Sequence, residues 1–336
     1  MATAVVLGAS GYLGGELLRL LSGHPELEVV AAVSQSQAGK RLGDLAPNLD
    51  RYEDLVLTSD ASSVSADVAF LAQPAGEAMR LVPGLLERGV RVIDLGADYR
   101  IKDPTEYERA YGRAHTDVEH LTTAVYGLPE LFRSEIAQAR LIANPGCYPT
   151  ATLLALAPLV KRSALTGPVI VDAKSGTSGA GATPSVTSHH PEAAGTVWPY
   201  GTPVHRHVPE MEGILERIGP SPSLVFVPHL VPLVRGILCS IYPTPLGEFD
   251  RTAWDGYLRE EYADSPFVRV GGTPRLPWAS GTNRCYLSVQ QVGDAPVLFS
   301  VLDNLGKGGA AQAIQNANIL FGWDERTGLT TSGFGI

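Results

Sequence analysis

Along the first 150 residues, short apolar runs alternate with stretches whose leucines recur at helical spacing. "TAVVLG" (3–8) is a β-branched run ending on glycine, and such a run reads as a buried strand. The turn "ASGYLGG" follows. "GELLRLLSGHP" then carries leucines with a helical period until Gly23 and Pro25 stop it. "LEVVAAVS" (27–34), "DVAFLAQP" (67–74), "RVIDLGAD" (91–98) and "RLIANPGC" (140–147) predict four more strands, with the helical "GEAMRLVPGLLERG" between the third and fourth. Strands alternating with helices predict βαβ units and a parallel sheet.

Beyond about residue 150 the pattern changes. "GPVIVDAKSG", "LVFVPHLVPLVRGILCSIYPTP" and "RCYLSVQQVG" with "APVLFSVLDN" are longer strand-like stretches, and helical pattern is sparser. They predict an α+β domain with an extended sheet. The tail "GKGGAAQAIQNANILFGW" (306–323) returns to helix, and a long Gly/Pro/Ser/Thr-rich loop is expected over 175–203. The whole is thus an α/β chain of 336 residues, a length that suggests two domains.

Composition narrows the partners. Hydrophobic residues make up 44% and charged residues 18%, enough for a sizeable core. The formal net charge of −9 argues against nonspecific binding to nucleic acid or an anionic membrane, because phosphate surfaces repel such a field. The expected partner is a small molecule. Three cysteines, Cys147, Cys239 and Cys285, form neither a disulfide framework nor a zinc-finger spacing. The first residues carry no basic run ahead of their apolar stretch, and no segment of about twenty residues is apolar enough to span a membrane. The expectation is a cytoplasmic protein.

Gly8, Gly11 and Gly14 lie between the first strand and the first helix. A dinucleotide pyrophosphate needs backbone N–H groups at a helix start and no side chains in the way. The spacing is G-x-x-G-x-x-G, so a turn whose glycines are only conformational is the alternative. At the end of the second strand, where an acidic residue would take the ribose 2′-OH of NAD, stand Ser34, Ser36, Lys40 and Arg41. Hydroxyls and cations suit a 2′-phosphate, hence NADP; otherwise Lys40 and Arg41 are a solvated loop pair.

Cys147 follows the Pro145–Gly146 break and opens a helix that is apolar nearly all round. At a helix N-terminus the dipole and free N–H groups favour a thiolate, whereas most free cysteines are small buried hydrophobes. The mid-strand Cys239 and Cys285 fit that second description. A thiolate on a nicotinamide-binding scaffold suggests aldehyde or thioester chemistry, which needs an acid/base. "VHRHVPEME" (204–212) supplies His205, His207 and Glu210. In an extended segment both histidines face one side. With a helix starting near Pro209, Glu210 falls in its first turn and can orient a histidine. His-x-His also occurs in metal sites, but a third ligand with fitting spacing is missing, so no metal is expected.

These motifs resemble the N-acetyl-γ-glutamyl-phosphate reductases of arginine biosynthesis, relatives of aspartate-semialdehyde dehydrogenase. The resemblance runs through "GASGYLGGELLRLLSGHPE", "DLGADYRIKDPTEYERAYG" (94–112), "YGLPE" (126–130), "ANPGCYPTAT" (143–152), "VDAKSGTSGAG" (171–181), "HRHVPE" (205–210), "PHLVPLVRGIL" (228–238) and "DNLGKGGAAQAIQNANILFG" (303–322). It implies a Rossmann-type NADP-binding domain over 1–146 plus 305–336. A catalytic and oligomerisation domain of the glyceraldehyde-3-phosphate-dehydrogenase-like type would cover 147–304, in a homo-oligomer. Cys147 would be the nucleophile and His207 the acid/base, with His205 beside it and Glu210 in support. Gly8, Ser10, Gly11, Tyr12, Leu13, Gly14, Ser34 and Ser36 would hold the dinucleotide. Ser175 and Gly176 would line its nicotinamide end, and Asn304 and Gly308 would return to it. Arg206 and Arg235 would take anionic substrate groups.

The chain departs from the family in three places. "QPAG" (73–76) stands where Pro-His-Gly is common. Gln35 replaces an arginine of the 2′-phosphate loop. "ATPSVTSHHPE" (182–192) is closer to the branch that reduces carrier-protein-linked aminoadipyl phosphate in lysine biosynthesis. Tyr148 after the cysteine fits the arginine branch.

Overall fold

The computed structural model describes residues 1–60, 65–186, 188–201 and 205–333. The chain divides into two compact units, one of Met1–Pro145 with Gly309–Leu329, the other of Gly146–Gly308 with the tail from Thr330.

The first unit holds strands β1 (Ala2–Leu7), β2 (Leu27–Val33), β3 (Val68–Leu71), β4 (Arg91–Asp94), β5 (Val125–Tyr126) and β6 (Leu141–Ala143). Its helices are α1 (Tyr12–Leu21), α2 (Leu42–Leu45), α3 (Ala78–Glu87), α4 (Pro104–Tyr111), α5 (Val118–Thr123) and α6 (Pro129–Ile136). The six strands form one parallel sheet in the order β2-β1-β3-β4-β6-β5. Successive residues of β1, β3 and β4 are buried on both faces, as parallel strands covered by helices must be. One face packs Val5, Leu7, Ala69, Leu71 and Val92 against Val82, Leu85 and Leu86 of α3. The order departs in opposite directions from β1, toward β2 and toward β3, and such a switch point is where open α/β sheets bind ligands.

The second unit holds β7 (Leu165–Ser175), β8 (Trp198–Pro199), β9 (Leu224–Leu230), β10 (Ile237–Pro245), β11 (Val268–Val270), β12 (Cys285–Val292) and β13 (Ala295–Leu302). Its helices are α7 (Cys147–Lys161), α8 (His190–Ala193), α9 (Val208–Ile218), α10 (Arg251–Glu261) and α11 (Leu276–Ala279). The chain then returns to the first unit for α12 (Ala311–Leu320). The seven strands make one mixed sheet, β11-β12-β13-β10-β7-β9-β8. Helix α7 is buried from Tyr148 to Val160 and packs on β10 and β13 beside α9 and α10. Val169, Val171 and Ala173 of β7 are buried, while the alternate Ile170, with Val225 and Tyr242 on neighbouring strands, leaves the opposite face exposed.

The structure differs from the sequence expectations in five places. Strand β5 has two residues, too few to show a period. Helix α10 buries only Trp254 and Leu258 and is otherwise polar, so its apolar stripe is thin. What marks its start is Asp250, which accepts from the N–H groups of Thr252 and Ala253. Helix α1 begins at Tyr12 rather than after the third glycine. The stretch 175–203 is not one open loop. A 3₁₀ turn (Thr177–Ala180), α8 and β8 interrupt it; Thr187, Thr202 and Pro203, like Val204 of the histidine segment, lie outside the described residues. The sequence reading runs the first domain to 336, yet the tail packs with the second unit, where Asn283 N donates to Thr330 O at 3.3 Å.

Candidate active site

In the first unit the glycine turn is shaped by contact. Gly8 has φ +81° and carries β1 into the turn, where a Cβ would strike Ala72 O. A Cβ on Gly14 would strike Gly8 O and stand 2.8 Å from Ala9 Cα. Gly11, the N-cap of α1, makes no side-chain cap, and α1 carries no acidic residue in its first turn. The turn is braced from behind. The N–H groups of Gly8 and Ala9 both donate to Val33 O, at 2.9 and 3.0 Å. Ser10 and Ser34 share a hydroxyl hydrogen bond of 2.8 Å. The half-exposed Tyr12 and the half-buried Leu13 begin the helix. Ser36 and Lys40 are exposed, while Arg41 is paired with Asp54 at 2.6 Å.

The first unit also contains an acid that pattern reading passed over. Asp94, at the end of β4, is fully buried, with Gly96 N donating to its Oδ1 at 2.8 Å. Burial, reinforced by the charge of Asp98, pushes its carboxyl up to about 7. Asp98 instead caps α3, accepting from Gly76, Ala78 and Met79 N–H groups and from the Tyr107 hydroxyl.

In the second unit Cys147 is the first residue of α7, half-buried, with extended Gly146 as N-cap. Gly146 has no side chain to cap with, and its own N–H donates to Glu210 Oε1 at 2.8 Å. Glu210 is buried in the first turn of α9. Its carboxylate therefore braces the turn that carries Cys147, a role not anticipated from its position beside the histidines. The histidine segment is not extended, contrary to expectation. His207 is the N-cap of α9 in the helical region, φ −84° and ψ −11°. The turn, not strand alternation, brings the two imidazoles to 4.8 Å between centroids. His205 Nδ1 accepts from His207 N at 3.2 Å, which leaves the proton of the neutral ring on Nε2. Burial, with a smaller contribution from the Arg206 charge, pushes His205 down to about 4.

Tyr148 joins these parts. Its ring meets His205 and His207 edgewise at 6.0 and 6.1 Å and Phe226 at 5.1 Å. Its hydroxyl accepts from Tyr200 at 3.0 Å. Burial pushes the Tyr148 hydroxyl far up, and Tyr200 up to about 12. Tyr200 and Phe226 come from distant segments with no local motif to announce them.

The remaining candidates fall into two groups. Gly308 lies against Cys147: a Cβ there would stand 2.8 Å from Cys147 Cβ. It sits in a π-helical turn, Gly306–Ala310, a form frequent at functional sites. Gly176 is pressed by the backbone of Arg235, so a Cβ has no room. Ser175 is buried and donates to Gly176 O. Asn304 is committed inside the unit, accepting from Gly236 N at 2.7 Å and donating to Ser178 Oγ at 3.0 Å. Arg206 is exposed. Arg235 binds buried Asp303 through Nε and Nη2, at 3.0 and 2.8 Å. Cys239 and Cys285 are buried. Among the described residues no group of three His, Cys, Asp or Glu is arranged to hold a metal ion.

Residues 3–139 match the semialdehyde dehydrogenase NAD binding domain, and residues 147–304 the semialdehyde dehydrogenase dimerisation domain. The chain is 45% identical over 337 residues to an N-acetyl-γ-glutamyl-phosphate reductase of Halorhodospira halophila, covering 96% of each. It is 48% identical over 344 residues to one of Methanopyrus kandleri, covering 99% of each. Among solved structures it is similar in fold to aspartate semialdehyde dehydrogenase II of Vibrio cholerae, with a TM-score of 0.72 at 17% identity over 96% of this chain and 98% of that one.

Proposed function

The chain belongs to the semialdehyde dehydrogenase family, among the N-acetyl-γ-glutamyl-phosphate reductases, and from that premise we propose that it reduces N-acetyl-γ-glutamyl phosphate to N-acetylglutamate 5-semialdehyde in arginine biosynthesis, with release of phosphate and NADPH as reductant. The observation that carries the reading is the joining of two helix starts. Cys147 opens α7, His207 caps α9, and Glu210 of α9 holds the amide just before the cysteine.

The residues fit a dinucleotide. Gly8 and Gly14 form a cradle that any Cβ would fill, in front of an α1 start without a side-chain cap, and phosphate oxygens suit such a place. The backbone from Ser10 to Gly14 would hold the pyrophosphate. Ser36 and Lys40 would meet the 2′-phosphate that distinguishes NADP. When bound, the dinucleotide supplies a hydride to the acyl carbon.

Cys147 sulfur forms a bond to the acyl carbon, and the carbon–oxygen bond to phosphate breaks with its electron pair leaving on phosphate. The product of that step is a thioester on Cys147. After reduction the carbon–sulfur bond breaks, returning the electrons to the Cys147 thiolate and releasing the aldehyde. His207 lends a proton to the oxygen of the tetrahedral species and recovers it on collapse. His205 cannot share that duty near neutral pH, since its ring is held neutral and its Nδ1 is committed to His207 N.

The exposed sheet face around Ile170, Val225 and Tyr242 is the surface on which a second copy would sit, in a homo-oligomer. A cytoplasmic location accords with the absence, among the described residues, of any helix long and apolar enough to cross a membrane.

The test is the reverse reaction. N-acetylglutamate semialdehyde, phosphate and NADP⁺ should give phosphate-dependent NADPH formation that iodoacetamide abolishes. A carrier-linked aminoadipate semialdehyde should be turned over at least tenfold less well. Preference for that second substrate would move the enzyme to the lysine branch, and binding of NADPH without turnover of either would make it a nucleotide sensor.

A further inference from the structure

We infer that Arg235 is a positioning residue whose pairing with Asp303 holds the 303–308 turn against the nucleophile, rather than a binder of substrate anions. The inference rests on Cys147 being the reacting group of the proposed reaction. Two of the three guanidinium nitrogens, Nε and Nη2, fork on the carboxylate of Asp303. Asp303 is fully buried, and the same carboxylate also accepts from the N–H groups of Gly281, Leu305 and Gly306. One side chain thus fixes the start of the turn, while its own carbonyl accepts from Gly308 N at 2.9 Å and fixes the end. Gly308 is the residue pressed on Cys147 Cβ, with no space for a side chain between them.

Arg235 is in turn fixed by its neighbours. Gly176 N donates to Gly236 O, Thr177 N to Leu233 O and Ser178 N to Val234 O. Asn304, next to Asp303, accepts from Gly236 N. The guanidinium is therefore a tie between two hydrogen-bonded loops, and the second of them forms one wall of the cysteine's surroundings. Three backbone donors leave this buried carboxylate's charge uncompensated; the arginine supplies the opposite charge together with two further donors, and with them sets the direction of the turn. The bidentate fork supplies that direction, and a lysine cannot.

The experiment compares Arg235→Lys with wild type in kcat, KM for N-acetylglutamate semialdehyde, and the rate of Cys147 alkylation by iodoacetamide; Cys239 and Cys285 are buried and out of reach. With the turn loosened, kcat should fall about tenfold to a hundredfold, the range expected for a misplacement of about 1 Å. KM should stay within twofold. Alkylation should rise at least threefold, because the floor under the sulfur gives way while the sulfur stays in place. Asp303→Asn should move the same three quantities in the same directions. A KM raised tenfold or more with kcat and alkylation unchanged would make Arg235 an anion binder and overturn the inference. A lowered melting temperature with all three quantities unchanged would overturn it equally, as a purely structural pair. If wild type shows no turnover of the semialdehyde, the proposed reaction has failed, and the alkylation rates still decide whether the pair positions Cys147.

Discussion

Two helices in this protein begin on a glycine cap that makes no side-chain bond, and they are finished in opposite ways. At α1 the glycines clear space: Gly8 and Gly14 pack so tightly on backbone that no side chain fits, and the helix start is left open. At α7 the start is occupied. A thiol stands on the first residue, a buried carboxylate takes the preceding amide, and the tyrosine that follows the thiol packs its ring against two histidines. Both exploit the unpaired N–H groups and positive dipole end of a helix. In the proposed reaction one would receive an anion from outside and the other would hold a thiolate of the chain itself. The difference lies in what other segments bring, and a helix start alone says little about its use.

The two starts can be broken separately. Cys147→Ser keeps the shape of the α7 start and removes the proposed nucleophile, so turnover should fall at least about a thousandfold. Dinucleotide affinity, measured by fluorescence titration, should stay within threefold. Gly14→Ala does the reverse. Its Cβ must displace the Gly8 carbonyl, so affinity for the dinucleotide should weaken by about a hundredfold, or about 2.7 kcal/mol, with alkylation of Cys147 unaltered. Gly11→Ala is the control, since the nearest atom to its Cβ is 3.5 Å away and only a few-fold loss is expected.

That contrast also explains what was legible in the sequence. The glycine turn and the cysteine are local: strand, glycines and apolar helix follow one another within a few residues, so α7 begins on the cysteine as the pattern puts it and α1 one turn early, inside the glycines. The parallel sheet was legible because buried strands between helices leave a period. Strand β5 and helix α10 left almost none. What finishes each site is not local. Glu210 reaches back over sixty residues to Gly146, Tyr200 and Phe226 come from separate segments to meet Tyr148, and Asp303 ties Arg235 to the turn that carries Gly308. Spacing suggested Glu210 as a partner for a histidine, and the family resemblance suggested Arg235 as a hand for an anion. Tertiary contacts give each a prior engagement that no periodicity encodes.

The brace at α7 is the place to sharpen the comparison. Glu210→Ala leaves the Gly146 N–H buried without its acceptor, a loss of about 1–3 kcal/mol. Glu210→Gln can keep a carbonyl oxygen on the same amide and removes only the charge. If the carboxylate acts as a cap, urea unfolding should show Ala clearly destabilised and Gln within about 1 kcal/mol of wild type. If its charge is what matters, by opposing the histidines or the thiolate, the two variants should instead share the same altered pH profile of kcat.

At His205 the expected effect appears only as a dependence on pH. In the unfolded chain its ring takes a proton near pH 6.5, while in the folded protein burial holds it neutral down to about pH 4. Between those values the unfolded state binds the extra proton. The stability that the neutral ring contributes is therefore intact above pH 6.5 and is lost as pH falls toward 4. From pH 6.5 to 5 the loss is at most about 2 kcal/mol, from 1.36 kcal/mol per unit. His205→Asn keeps an acceptor near His207 N but does not titrate, so its unfolding free energy should fall less steeply over that range. His24 and His115 are also held low by burial, but they contribute to both proteins alike, and the difference between the two curves isolates His205. Parallel curves would mean that this ring is protonated in the folded protein, and with it would go the assignment of the proton transfer to His207 alone.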